Sequence, residues 1–147
     1  MVFTTKLLVI ANRTVDSVGL LEALRTRAGR GPIEVTLVAP SRYGRREETA
    51  QRLDRAVRVL DDAGIMVKGV QGDADPMIAV ADTWDPRQFD EVVVATLPGA
   101  TSRWLAANLP KRVERFTGAR VTHVVAHPFS SSSAISSDAR SEPTLRR

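Results

Sequence analysis

Five short apolar runs alternate with four amphipathic segments along the chain. The runs are Leu7 to Ala11, Ile33 to Ala39, Ile65 to Val70, Glu91 to Ala95 and Val121 to Ala126. Each has the length of a strand and is rich in Val or Ile. The segments between them carry apolar residues at helical spacing. Val18, Leu21, Leu24 and Ala28 form one stripe, which ends at Gly29 and Gly31. Leu53, Val57 and Leu60 form a second, closed by Gly64 as a left-handed cap. Asp75-Pro76 supplies an N-cap and a proline at the first helical position, followed by a stripe of Met77, Val80, Ala81 and Trp84. Leu105, Leu109, Val113 and Phe116 form the last stripe, closed by Gly118. Pro110 cannot sit deep in a helix, so this segment splits into a short turn over Thr101 to Ala107 and a helix capped by Asn108.

Alternating strand and helix units predict a parallel sheet with right-handed crossovers. Runs one and four are almost wholly apolar, as strands covered on both faces are. Run three places Lys68 and Gly69 among its apolar residues, and run five carries Thr122 and His123. These two therefore belong at the edges. The predicted fold is α/β: a doubly wound five-stranded parallel sheet in the order 3-2-1-4-5, with helices on both faces. Its switch point falls between strands one and four, where ligands bind at the carboxyl ends. From Pro128 onward the composition turns polar, with Ser130 to Ser133 at its head. The expected organisation is one domain over 1–128 and a disordered tail over 129–147.

The composition narrows the classes of function. The chain has 147 residues, 43% hydrophobic and 26% charged, which suits a single domain with a real core. No apolar run approaches the roughly 18 residues of a membrane span. The N-terminus lacks a signal-peptide layout, and with no cysteine there is neither a disulfide framework nor a thiolate site. A cytoplasmic location is the simplest expectation, without a membrane partner. Net charge is +4, from 21 basic residues against 17 acidic ones, and nearly all the basic residues are Arg. Arginine suits phosphate-bearing ligands, although an arginine-rich composition alone gives the same count. Only 5% of residues are aromatic, which argues against a stacking platform for nucleic acid.

Candidate chemistry belongs in the loops after the strands: Asn12-Arg13-Thr14, Pro40 to Arg46, Gln71 to Asp75 and Thr96 to Arg103. The last is the most informative. A turn containing Gly99 leads into a helix start bearing Thr101 and Ser102, where backbone N–H groups can cradle an anion and Arg103 can add a charged hydrogen bond. Arg42, Arg45 and Arg46 read either as a phosphate grip or as a solvated face paired with Glu47 and Glu48; the adjacent acids favour the second. His123 and His127 have no acids beside them and make a poor metal site, so His123 reads as an edge-strand surface residue. Phosphate-loop, dinucleotide-fingerprint, zinc-protease and nucleophile-elbow motifs are all absent. The expectation is a protein that is not an enzyme, with no catalytic and no metal-binding residues.

Four stretches together resemble the universal stress protein family over residues 6 to 127. They are Lys6 to Thr14, Val70 to Ala81, Phe89 to Thr96, and Lys111 to Val121 with its leading helix. Leu97-Pro98-Gly99 and Ser102 to Leu105 look like a divergent, actinobacterial-type branch. The resemblance implies the family's adenine-nucleotide pocket, with ATP and magnesium as the cofactor to test. Asn12 and Thr14 would flank the phosphate or ribose, and Val38 and Gly72 would lie near the base. Thr96, Gly99, Ser102, Arg103 and Asn108 would line the phosphate side. The family's glycine motif is degraded here: Ala107-Asn108 stand where Gly with Ser or Thr is common, and Asn12 replaces an acidic residue. This implies a stress-response or regulatory protein with a weak or vestigial pocket. Pairing through the strand Val121 to Ala126 would make it a homodimer. A receiver-like signalling domain, with Asp73 as acceptor, and a nucleotide-using enzyme on a related fold are the alternatives.

Overall fold

The computed structural model describes residues 3–98 and 103–126. The strands are β1 (Thr5–Ile10), β2 (Ile33–Pro40), β3 (Met66–Gly72), β4 (Glu91–Thr96) and β5 (Arg120–Val125). The helices are α1 (Val18–Ala28), α2 (Arg46–Asp62), α3 (Pro76–Thr83), α4 (Arg103–Ala106) and α5 (Leu109–Thr117). All neighbouring strands are parallel, in the order β3-β2-β1-β4-β5. This is the order expected from the two all-apolar runs, because only the central strands lose water on both faces. The expected tail over 129–147 lies outside the described residues.

Strand alternation divides the core into two layers. Leu7, Val9 and Ala11 point toward α1 and α2, where they meet Leu20, Leu24 and Leu53. Leu8 and Ile10 point the other way, into a layer with Val80, Leu109 and Val113 from α3 and α5. The register between β1 and β4 is locked at its start. The Lys6 N–H donates to Asp90 Oδ2 at 2.9 Å, and the Asp90 N–H donates to the Lys6 carbonyl at 2.8 Å.

Three helical stripes differ from the periodicity. Ser17 is the N-cap of α1, its Oγ accepting from the Leu20 N–H at 3.1 Å. Val18 is therefore the first helical residue and is 61% exposed, while Leu20, Leu21 and Leu24 face the sheet. The helix comes in closely at Gly19, where an added Cβ would lie 3.0 Å from Ala126 Cβ. In α3 the buried pair is Ala79 and Val80, and Ala81 faces outward. In α5 the buried row ends at Val113, and Phe116 in the last turn is 52% exposed.

Two sequence caps take the forms the sequence predicts. Asp75 accepts from the Met77 N–H at 2.8 Å with Pro76 opening α3, and Gly64 follows α2 at φ +82°. Asn108 precedes α5, but in a left-handed conformation (φ 58°) and without a side-chain cap bond. Asn tolerates this region better than most residues. Here it turns the chain between α4 and α5 instead of accepting a hydrogen bond from the first turn of the helix.

Candidate functional site

The carboxyl ends of β1, β2 and β4 open onto a crevice of about 790 Å³. Its position is the switch point of the sheet, where the chain leaves β1 toward one face and β4 toward the other. The β1–α1 loop is held firmly. The Asn12 carbonyl accepts from the Val15 N–H at 3.2 Å, and Thr14 Oγ1 donates to the Ala95 carbonyl at 3.3 Å. Asp16, only 5% exposed, pairs with Arg55 of α2 at 2.9 Å and ties this loop to the neighbouring helix. Thr96 is buried at the end of β4, and its Oγ1 lies 2.7 Å from His123 Nε2.

Among the described residues, the crevice is lined by six arginines: Arg13, Arg42, Arg45, Arg52, Arg103 and Arg112. They come from the β1–α1 loop, the β2–α2 loop, α2, α4 and α5. Two carboxylates share the wall, Glu48 and Asp75. The excess of four positive charges equals the net charge of the whole chain, +4. Positive charge is thus concentrated along this concavity. Apolar wall between the charges comes from Pro40, Ala74, Pro76, Leu97 and Trp104.

Both carboxylates are engaged. Asp75 caps α3. Glu48 Oε1 accepts from Arg45 at 3.0 Å and Oε2 from Arg52 at 2.8 Å. The Arg45 hydrogen bond, followed by the charge of Arg52, holds the Glu48 carboxyl below the usual carboxylate range. A carboxylate whose folded pKa is depressed contributes stability that is present above its unfolded pKa and lost as pH falls through the folded value. Glu48 should therefore titrate below its ordinary value of 4.5. Carbon-detected NMR of the side-chain carboxyl checks this, and Arg45→Ala should return the midpoint upward.

The residues singled out in the sequence divide into three groups. Asn12, Thr14, Thr96 and Arg103 line the crevice. Val38 and Gly72 do not: a Cβ on Gly72 would meet Ala79 Cβ at 2.8 Å and Val38 Cγ1 at 3.1 Å, so this space is closed by α3. Asn108 is exposed outside the lining, which Ala107 and Arg112 supply in its place. Gly99 and Ser102 lie outside the described residues. In the arginine-rich second loop, Arg42 and Arg45 face the crevice, Arg45 also makes the expected local ion pair, and Arg46 is exposed outside the lining. Arg13 belongs to the first of the expected loops without having been singled out there, and Arg52 and Arg112 were not anticipated. Only Arg52 had a local signal, its i,i+4 spacing from Glu48. Among the described residues no cluster of His, Asp and Glu could hold a metal ion, and no helix is long and apolar enough to cross a membrane.

No protein-family model and no curated protein matches the chain. Among solved structures, a lipopolysaccharide core biosynthesis protein from Thermoplasma volcanium GSS1 aligns at a TM-score of 0.47 and 14% identity, over 86% of this chain and 98% of that one. A universal stress protein in complex with cAMP aligns at a TM-score of 0.54 and 18% identity, over 86% of this chain and 100% of that one. With its five parallel strands in the order 3-2-1-4-5, the chain has a fold like that of this universal stress protein.

Proposed function

We propose that this chain is a non-enzymatic regulatory module of the universal stress protein type that binds an adenine nucleotide weakly in the arginine-lined crevice. The observation that carries the proposal is the convergence of six guanidinium groups on the carboxyl end of the sheet. Guanidinium groups match phosphate oxygens in pairs and stay charged at all relevant pH. Pro40, Ala74 and Pro76 offer apolar wall for a base. The similar universal stress protein was solved in complex with cAMP, which supports the same ligand class here. Binding is weak because Leu97 and Pro98 replace the small residues that let phosphate approach the backbone, and Pro98 has no N–H to donate. No hydrolysis is proposed: the His123 ring is bonded to Thr96, and both carboxylates in the crevice are engaged. Calorimetry with ATP should give a dissociation constant in the high-micromolar range, with no phosphate released above background. Submicromolar binding or steady turnover would contradict this reading.

The module acts in the cytoplasm as a homodimer through β5. In support, Thr122, His123 and Val125 are exposed on this edge, and no Lys or Pro guards it. An isologous pairing of one edge with its own copy closes after two subunits. Light scattering at micromolar concentration should give twice the monomer mass, and His123→Pro should return it to the monomer. A wild-type monomer would exclude the pairing.

A further inference from the structure

We propose that the crevice takes its ligand's oligophosphate chain as the free polyanion, bridging two banks of arginine without a divalent cation. The proposal rests on the nucleotide reading above and specifies the ionic form that is bound. One bank stands on the β2–α2 side, with Arg42, Arg45 and Arg52; the other stands on the α4–α5 side, with Arg103 and Arg112. Arg13 enters from the β1–α1 loop.

The charge balance of these groups suits an anionic ligand. Arg13, Arg42, Arg103 and Arg112 make no ion pair with any described residue. Four like charges sharing one concavity repel, and the low-dielectric walls of a cleft concentrate their field. Elsewhere in this molecule Arg25, Arg27 and Arg55 pair with carboxylates, whereas the dispersed Arg30, Arg46, Arg58, Arg115 and Arg120 pair with none among the described residues; what distinguishes the crevice is that its unpaired arginines share one opening. Here the described residues of the wall include only Glu48 and Asp75 as carboxylates, and each already accepts a hydrogen bond.

The same chemistry disfavours a metal-bound phosphate. Magnesium requires oxygen ligands in near-octahedral geometry, and in phosphate sites it is held by one or two protein carboxylates together with phosphate oxygens and water. Position 12, after the first strand, is Asn, and neither carboxylate of the crevice is unengaged. A magnesium ion on the phosphates would neutralise the charge the arginines recognise and occupy oxygens to which they would bind. Magnesium should therefore compete with this site.

The test is calorimetric titration of the full chain with ATP and with inorganic tripolyphosphate, each in EDTA and in excess magnesium chloride. Both should bind in EDTA, and magnesium should weaken both about tenfold. Arg42→Ala and Arg103→Ala, at exposed positions on opposite banks, should each weaken binding in EDTA about tenfold. Arg58→Ala, exposed on α2 outside the crevice, should leave it unchanged. Equal or tighter binding in magnesium would overturn the proposal, as would an Arg58→Ala loss matching that of Arg42→Ala. If tripolyphosphate binds as well as ATP, the free-polyanion site stands and the nucleotide reading fails. If ATP binds only with magnesium, the nucleotide reading stands and the free-polyanion site fails.

Discussion

Replacing Leu8 with Ala should destabilise the domain by about 2–5 kcal/mol, the range for removing a fully buried leucine. Leu8 has no exposed surface and lies on the central strand, in register with Thr36 of β2 and Val92 of β4. Its side chain belongs to the layer that α3 and α5 close through Val80, Leu109 and Val113. Backbone pairing on both sides stops β1 from moving to fill the cavity, so the upper half of the range applies. A chain of this size loses roughly 2–4 °C of melting temperature per kcal/mol. Urea denaturation followed by circular dichroism should show a lower midpoint with an unchanged slope. Val18→Ala is the matched comparison. It removes apolar atoms from a residue that is 61% exposed, and should change stability by less than about 0.5 kcal/mol. Similar losses from the two substitutions would contradict the phase of α1 described above.

Gly72→Ala should cost about 1–3 kcal/mol, the usual range for adding a methyl group to a filled space. The new Cβ would lie 2.8 Å from Ala79 Cβ and 3.1 Å from Val38 Cγ1. Ala79 is fully buried, so the strain has to move α3 outward from the sheet. Asp75 and Pro76 at the start of α3 form part of the crevice wall, so the substitution should also alter ligand affinity without touching a ligand. The Ala79→Gly/Gly72→Ala double variant moves the methyl group from helix to strand and should recover part of the loss, less the roughly 1 kcal/mol cost of glycine inside a helix. A wild-type melting curve for Gly72→Ala would show that α3 does not pack as closely as described.

Much of the architecture is legible in the residues, because it depends on exclusion from water. Leu7 to Ala11 and Val92 to Ala95 have no polar position on either face, and only the middle of a helix-covered sheet accommodates that. Asp75-Pro76 marks the start of α3 because capping is local chemistry. The phase of α1 was less legible: Val18, Leu20, Leu21 and Leu24 are all apolar, and the choice among them depends on a close approach at Gly19 that involves Ala126, far away in sequence. The same distinction governs the site. Asn12, Thr14, Thr96 and Arg103 follow from the rule that strand ends face the ligand. Arg52 and Arg112 lie on helices, and nothing in the chain announces that α2 and α5 turn these side chains toward one opening. Val38 and Gly72 show the reverse case, in which a strand end expected near a base is closed by α3.

The pairing of β1 with β4 also sets the order in which the molecule can assemble. β1, β2 and β3 follow one another with single crossovers, so their contacts need only short loop closures. Leu7 must wait for Glu91, with β2 and β3 in between. Closing so long a segment costs more chain entropy than either neighbouring crossover, and contacts at such separation slow folding. The sheet should grow first on the β3 side, with β4 and β5 docking late against a strand whose other edge is already paired. The crevice has one wall in each half, so it does not exist until that docking is complete. An oligophosphate in the refolding buffer should accordingly leave the folding rate unchanged and slow unfolding, because only the finished molecule holds both banks of arginine in place.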